Sequence, residues 1–191
     1  MLKRFLCLVL IPVTLLIFGQ ASAVAGQWSS LKTKYLTVMY ENEKDLKTFD
    51  QNIDFSSGSG GFSSFFNSGK SSGTGFEKKL TAKLDSLIEK VQLILDMRKP
   101  IKITVRIYPD KTALHGAYFN IYKKKKELRA WYIFEYNTIY VNARDLTAGM
   151  LAHESAHAIV DNFLAARPPR ATAEILARYV DSHLNKEAKV Y

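Results

Sequence analysis

The segment MLAHESAHAIVDNF, residues 150 to 163, constrains this chain more than any other. It sets His153 and His157 four positions apart, with Glu154 directly after the first. On an α-helix, residues four apart lie one turn above each other on one face, so both imidazoles can reach one ion. Glu154 sits one position round the helix and can reach a water on that ion without binding it. The neighbours Ala152, Ala156, Ile159 and Val160 are small or apolar. A His-Glu-His group buried among them without a metal would be hard to satisfy. The bland alternative is a surface helix with two histidines and a solvated glutamate.

A zinc ion that keeps a water takes three protein ligands. Asp161 is the nearest acid, but eight residues from His153 is about 12 Å along a helix axis. Three side chains so spread on one straight helix cannot converge on an ion at about 2 Å. The third ligand is therefore expected on another element. Pro168 and Pro169 break the motif helix near Ala166 and let the chain turn back. A second helix, expected from about 171 to 184, carries Glu174, seventeen positions after His157. Glu174, Arg178 and Asp181 form its polar stripe, opposite Leu176, Val180 and Leu184, with Ile175 and Tyr179 beside the apolar side. Either Glu174 is the third ligand, or it belongs to a solvated stripe and pairs with Arg178 at i, i+4. Asp181, two turns along the same face, is placed to orient a histidine.

The rest of the chain bounds the fold. At 191 residues it suits one domain with a real core. Lys3 and Arg4 precede an apolar run from Phe5 to Phe18, and Ala21-Ser22-Ala23 follows. That order is the grammar of a secretory signal peptide over residues 1–23, which leaves a mature domain of 24–191. The apolar run is short for a membrane span of about 20 residues and contains Pro12, so no stable span is expected after cleavage. The one cysteine, Cys7, leaves with the signal, so an exported chain without disulfides must rest on its core and on any metal it holds. Net charge is +9, and +7 without Lys3 and Arg4. The positives are scattered apart from Lys123 to Lys126, which fits a solvated loop tip better than a polyanion site. No nucleic-acid motif accompanies them, and no nucleic-acid partner is expected.

Alternation over residues 34–41, KYLTVMYE, predicts a strand. Residues 55–76 hold six of the ten glycines and eight serines, with five phenylalanines among them. Such a segment costs more entropy to order than its core could return, so it is expected as a flexible insertion; a lid over a cleft is the sharper alternative. Thr74 and Glu77 then resemble a capping box. Leu80, Leu84, Leu87, Val91 and Ile94 recur at three- and four-residue steps, predicting an amphipathic helix stopped by Arg98-Lys99-Pro100. Residues 101–108, IKITVRIY, suit a strand, while 127–134 and 138–142 suit a hairpin turning at Glu135-Tyr136-Asn137. His115 lies in a stretch without a clear pattern, as a surface or structural histidine. Asp145 or Thr147 can cap the motif helix. The sum is an α+β chain, a small mixed sheet packed on an amphipathic helix, followed by the motif helix and a Glu-bearing helix.

The pattern AHESAHAIV followed by RPPRATAEILARYVD resembles the gluzincin metallopeptidases, whose HExxH helix is followed by a glutamate ligand on the next helix. The order of KYLTVMYE, a long helix, IKITVRIYP and TIYVN before the motif is similar to the small peptidase domains of that clan, over most of residues 28–185. The resemblance implies a zincin-like fold, one zinc ion on His153, His157 and Glu174, and Glu154 as general base in the hydrolysis of peptide or protein substrates. Such domains often carry a tryptophan before the glutamate and a glycine after it, where this chain has Ala171-Thr172-Ala173 and Ile175. Larger members add a tyrosine or histidine as oxyanion stabiliser, and here Tyr179 and His183 fall on the wrong face of an ideal helix. An extended substrate is expected to pair with a sheet edge, either the strand ending in Phe134 or Ile139-Tyr140-Val141. The expectation is an exported, periplasmic or secreted zinc metallopeptidase. Its rival is a non-catalytic zinc-containing protein of the cell envelope, or a module binding anionic polymer through Lys123 to Lys126.

Overall fold

The computed structural model describes residues 27–53 and 75–184. Residues 1–26 with the expected signal peptide, the insertion up to residue 74, the Thr74 cap and residues 185–191 lie outside the described residues. Five strands form one mixed sheet: β1 (Ser29–Lys32), β2 (Leu36–Tyr40), β3 (Ile103–Tyr108), β4 (Ala130–Ile133) and β5 (Thr138–Asn142). Their order is β1-β2-β3-β5-β4, with β2, β3 and β5 parallel and the two outer strands antiparallel to their neighbours. Five helices accompany them: α1 (Glu43–Asn52), α2 (Gly75–Leu95), α3 (Lys111–Tyr122), α4 (Ala148–Phe163) and α5 (Arg170–His183). This mixed architecture agrees with the α+β expectation.

Strand identity follows from alternation. Ile103, Val105 and Ile107 of β3 are buried on one face, while Thr104, Arg106 and Tyr108 are less buried on the other. β5 is buried at all five positions because β3 and β4 flank it and helices cover both of its faces. Ile139 and Val141 join the main core, which also holds Leu46 and Phe49 of α1, Leu80 to Val91 of α2, and Leu151, Ala152, Ala156 and Ile159 of α4. Tyr140 instead joins Leu114, Trp131 and Ile133 in a second cluster under α3. One face of the sheet thus carries α2 and α4, and the opposite face carries α3.

α2 buries Leu80, Leu84, Leu87, Ile88 and Val91, whereas Ile94 is only partly buried. The helix ends at Leu95, earlier than the Arg98-Lys99-Pro100 stop. Asp96 takes a left-handed conformation with φ 52°, and the buried Gln92 receives Met97 N–H on its backbone carbonyl and donates its amide to the Lys99 carbonyl. α1, α3 and β1 were not legible as elements. α3 has apolar residues all round rather than on one stripe, with Leu114 alone buried, and its start is fixed by Asp110, whose carboxylate accepts the Ala113 N–H at 3.0 Å. Lys123, with φ 54°, closes it. Lys123 to Lys126 are exposed, as expected of a loop tip. No helix of the described residues is long and apolar enough to cross a membrane.

Candidate metal centre

α4 begins where Thr147 Oγ1 accepts the Met150 N–H at 3.2 Å. Asp145, the other candidate cap, is held instead by Arg129 at 2.7 Å. Ala152, Ser155, Ala156 and Ala158 are fully buried, and their small side chains let α4 pack closely under the sheet. This close packing fixes the ridge on which His153 and His157 stand. Leu164 leaves the helix in an extended conformation, and the double proline, which cannot continue a helix, delivers the chain to α5. α5 packs back on α4 through Ala177, Val180 and Leu184. The buried stripe is centred on Ala177, while Ile175 and Tyr179 are 66% and 48% exposed.

That docking turns the polar stripe of α5 onto the histidines. His153 Nε2 and His157 Nε2 are 3.3 Å apart. Glu174 Oε2 lies 3.9 Å from the first and 3.6 Å from the second. Ligands on a tetrahedral zinc at about 2.0–2.1 Å stand about 3.3–3.4 Å from one another, so the three donor atoms need to move only by tenths of an ångström. Two neutral imidazoles and a carboxylate are also the right donor set for zinc. Among the described residues, His153, His157 and Glu174 are the group that can hold a metal ion. Asp161 is not part of it.

The two alternatives for Glu174 turn out to be compatible. Arg178 Nε donates to Glu174 Oε1 at 3.0 Å, leaving Oε2 to face the histidines. The Arg178 hydrogen bond, and more weakly the two histidines, hold the Glu174 carboxyl below its ordinary range. His153 Nδ1 meets Asp181 Oδ2 at 2.9 Å. A proton on Nδ1 satisfies Asp181 and leaves Nε2 as a lone pair pointing at the group. Burial, and then the neighbouring His153, lower the basicity of His157, which favours the neutral ring that a metal requires. Arg170, at the start of α5, adds to that lowering.

The Glu154 carboxyl is buried beside β4, where the Tyr132 backbone amide reaches it, and it feels the charges of His153 and Glu174. Burial pushes its carboxyl up to about 7, with His153 and the Tyr132 backbone amide pulling down and Glu174 and Asp181 pushing up. β4 is an edge of the sheet, with β5 on its inner side. The expected alternative edge, Ile139-Tyr140-Val141, is interior, because β5 pairs with both β3 and β4. Its run of buried residues was the signal of an interior strand.

Asn137, with φ 44°, fixes β4 against α4. Its Oδ1 accepts from the Tyr132 hydroxyl at 3.2 Å and from Asn162 Nδ2 at 2.9 Å, while its Nδ2 donates to the Lys102 carbonyl at 2.6 Å. Sequence reasoning saw Asn137 only as a turn residue; its tolerance of a left-handed conformation was the available signal. Asp161, 4% exposed in its side chain, lies 3.5 Å from Arg167 Nε, and the Arg167 guanidinium sits 4.7 Å from the centre of the Phe134 ring. Asp161 thus serves the loop between α4 and α5. His115 Nε2 lies 3.1 Å from both the backbone N–H and the carbonyl of Leu128, a structural role. Tyr179 stacks on His183 at 4.0 Å on the outer side of α5. Comparison with protein-family models, with curated proteins and with solved structures finds no match to this chain.

Proposed function

We propose that this chain is an exported zinc-dependent metallopeptidase with a gluzincin-like arrangement on a zincin-like fold. The observation that carries this reading is the convergence of His153 Nε2, His157 Nε2 and Glu174 Oε2 near a buried glutamate beside β4, the outermost strand among the described residues. His153, His157 and Glu174 hold the ion, and zinc, when bound, supplies Lewis acidity at the reacting carbonyl. An extended peptide pairs with the outer side of β4, where its backbone lies beside Glu154. Glu154 accepts the proton of the attacking water on its carboxylate and passes it to the leaving amine. A carboxyl raised to about 7 by burial suits both halves of that transfer, and a cation in the neighbouring group draws it toward the ionised, proton-accepting form. Asp181 keeps His153 in one tautomer, and Arg178 keeps Glu174 turned toward the histidines.

A second reading, a non-catalytic zinc protein of the cell envelope, draws support from Tyr179, 48% exposed and stacked on His183, so that among the described residues after Glu174 neither candidate oxyanion stabiliser turns to the metal group. Glu154→Gln separates the two. Glutamine keeps size and polarity but cannot take the proton, so zinc per chain should stay at wild-type level while cleavage of a mixed peptide library falls about 10²–10⁴-fold. Zinc retained with undiminished cleavage would sink the mechanism. Zinc bound by a wild type that cleaves nothing would favour the non-catalytic reading.

A further inference from the structure

The face of the sheet opposite the histidines carries a groove that the metal centre does not use. It has a volume of about 390 Å³ and lies between α3 and the strands β3 and β5, lined by Arg106, Tyr108, Gly116, Asn120 and Tyr140 among others. We propose that this groove binds an acidic sugar, a single ring bearing a carboxylate or a phosphate.

The groove exists because α3 is built to leave it open. Ala113, Gly116, Ala117 and Asn120 are spaced to share one face of the helix, and all four line the groove. A Cβ placed on Gly116 would meet nothing within 4 Å, so open space lies beside the helix there. The floor is aromatic and fixed. Tyr140 stacks on Trp131 at 4.7 Å with 3° between the rings, and on Tyr108 at 6.3 Å and 16°. Trp28 sets its edge against Tyr108 at 5.6 Å, and Tyr118 meets Trp131 at 5.3 Å. The ladder locks the tyrosine rings, so their hydroxyls are held rather than mobile.

Arg106 supplies the charge. It stands directly opposite Tyr140 across the β3–β5 pair, and its guanidinium lies 5.3 Å from the centre of the Trp28 ring. Among the described residues no carboxylate forms an ion pair with it, although its charge bears on the hydroxyls of both Tyr108 and Tyr140. A planar guanidinium held by a ring is suited to grip a carboxylate or phosphate through two parallel hydrogen bonds. The Tyr108 hydroxyl and the Asn120 amide add groups that donate and accept, which match sugar hydroxyls. Ala113, Ala117 and Ile121 on α3 supply the apolar surface for the C–H face of the sugar. The volume falls in the range of small-molecule sites, roughly 300–1,000 Å³, and exceeds what an inorganic anion fills.

The test uses the tryptophans already in place. Trp28 and Trp131 are the two tryptophans of the chain, and both belong to this ladder, so intrinsic fluorescence reports on the groove. Glucuronate and glucose 6-phosphate are titrated into the mature protein, with glucose and inorganic phosphate as controls. At least one acidic sugar should give a saturable change, and each control should bind about 10-fold more weakly or worse, because either lacks half of the complementarity. Arg106→Gln should weaken the acidic sugar about 10-fold or more, and Gly116→Leu, which fills the groove from an exposed helix position, should abolish binding. Both variants should keep the wild-type circular dichroism spectrum and zinc affinity, since the metal group lies across the sheet. No saturable change with either acidic sugar overturns the proposal. So does an equal response to inorganic phosphate, which means anion binding only, or affinity that is unchanged in both folded variants.

Discussion

Asp181 Oδ2 stands 2.9 Å from His153 Nδ1, so a carboxylate on α5 sets the tautomer of a histidine on α4. The contact lies partly open to solvent, with the Asp181 side chain 43% exposed, and its worth is orientation more than charge. Asp181→Ala frees the ring to rotate and to protonate at Nε2. Zinc affinity, measured by competition with a chelator, should fall about 10–100-fold while zinc stoichiometry at saturation stays unchanged. An affinity equal to wild type would show that Asp181 does not hold the ring.

Glu174 and Asp161 are both acids within reach of the motif helix, but only Glu174 Oε2 faces the two Nε2 atoms. Glu174→Ala should therefore lower zinc affinity far more than Asp161→Ala, and more than the loss at Asp181. The same chelator competition ranks the three. Equal affinities for wild type and Glu174→Ala would remove Glu174 from the ligand set.

Asp161 has a different signature. Burial raises its carboxyl above the ordinary range, against the pull of Arg167 and with a further push from Glu135. A folded pKa above the unfolded value means that the folded state binds the proton more tightly. Its stabilising contribution is complete below the unfolded pKa of about 3.9 and is lost as pH rises through the folded value. Asp161→Asn, which cannot ionise, should lose less Tm than wild type as pH rises above about 4, in metal-free protein followed by circular dichroism. A Tm difference between the two chains that does not vary with pH would contradict this.

The core under the metal centre sets the stability that holds α4 in place. Leu84 of α2 is fully buried in the main cluster, whereas Ile175 of α5 is 66% exposed. Leu84→Ala should cost about 2–5 kcal/mol in urea unfolding, and Ile175→Ala should stay within about 0.5 kcal/mol of wild type. Comparable losses at both positions would mean that Ile175 is covered in solution.

The local signals in the sequence were enough for the motif helix, the long amphipathic helix, the strand at Leu36–Tyr40 and the hairpin over Ala130–Asn142, because each carries a hydrophobic period, a cap or a breaker of its own. They also paired His153 with His157, since the turn of a helix is local geometry, and set Glu174 on the polar stripe of the following helix, where a third donor from another element was expected. α1, α3 and β1 were not legible: α1 is mostly polar, α3 spreads its apolar residues round the helix instead of along one stripe, and β1 is four residues long and mostly exposed.

The strand order depended on tertiary pairing. β4 and β5 both look like half of a hairpin, and only the parallel pairing of β5 with β3 makes β5 interior and leaves β4 as the edge beside Glu154. The division of Glu174 between Arg178 on one oxygen and the histidines on the other has the same origin. Sequence spacing places a carboxylate on a helix face, but the direction of each oxygen is set when Ala177, Val180 and Leu184 dock α5 against α4. The sequence determined which residue types share a helix face; packing across the sheet determined which of them meet.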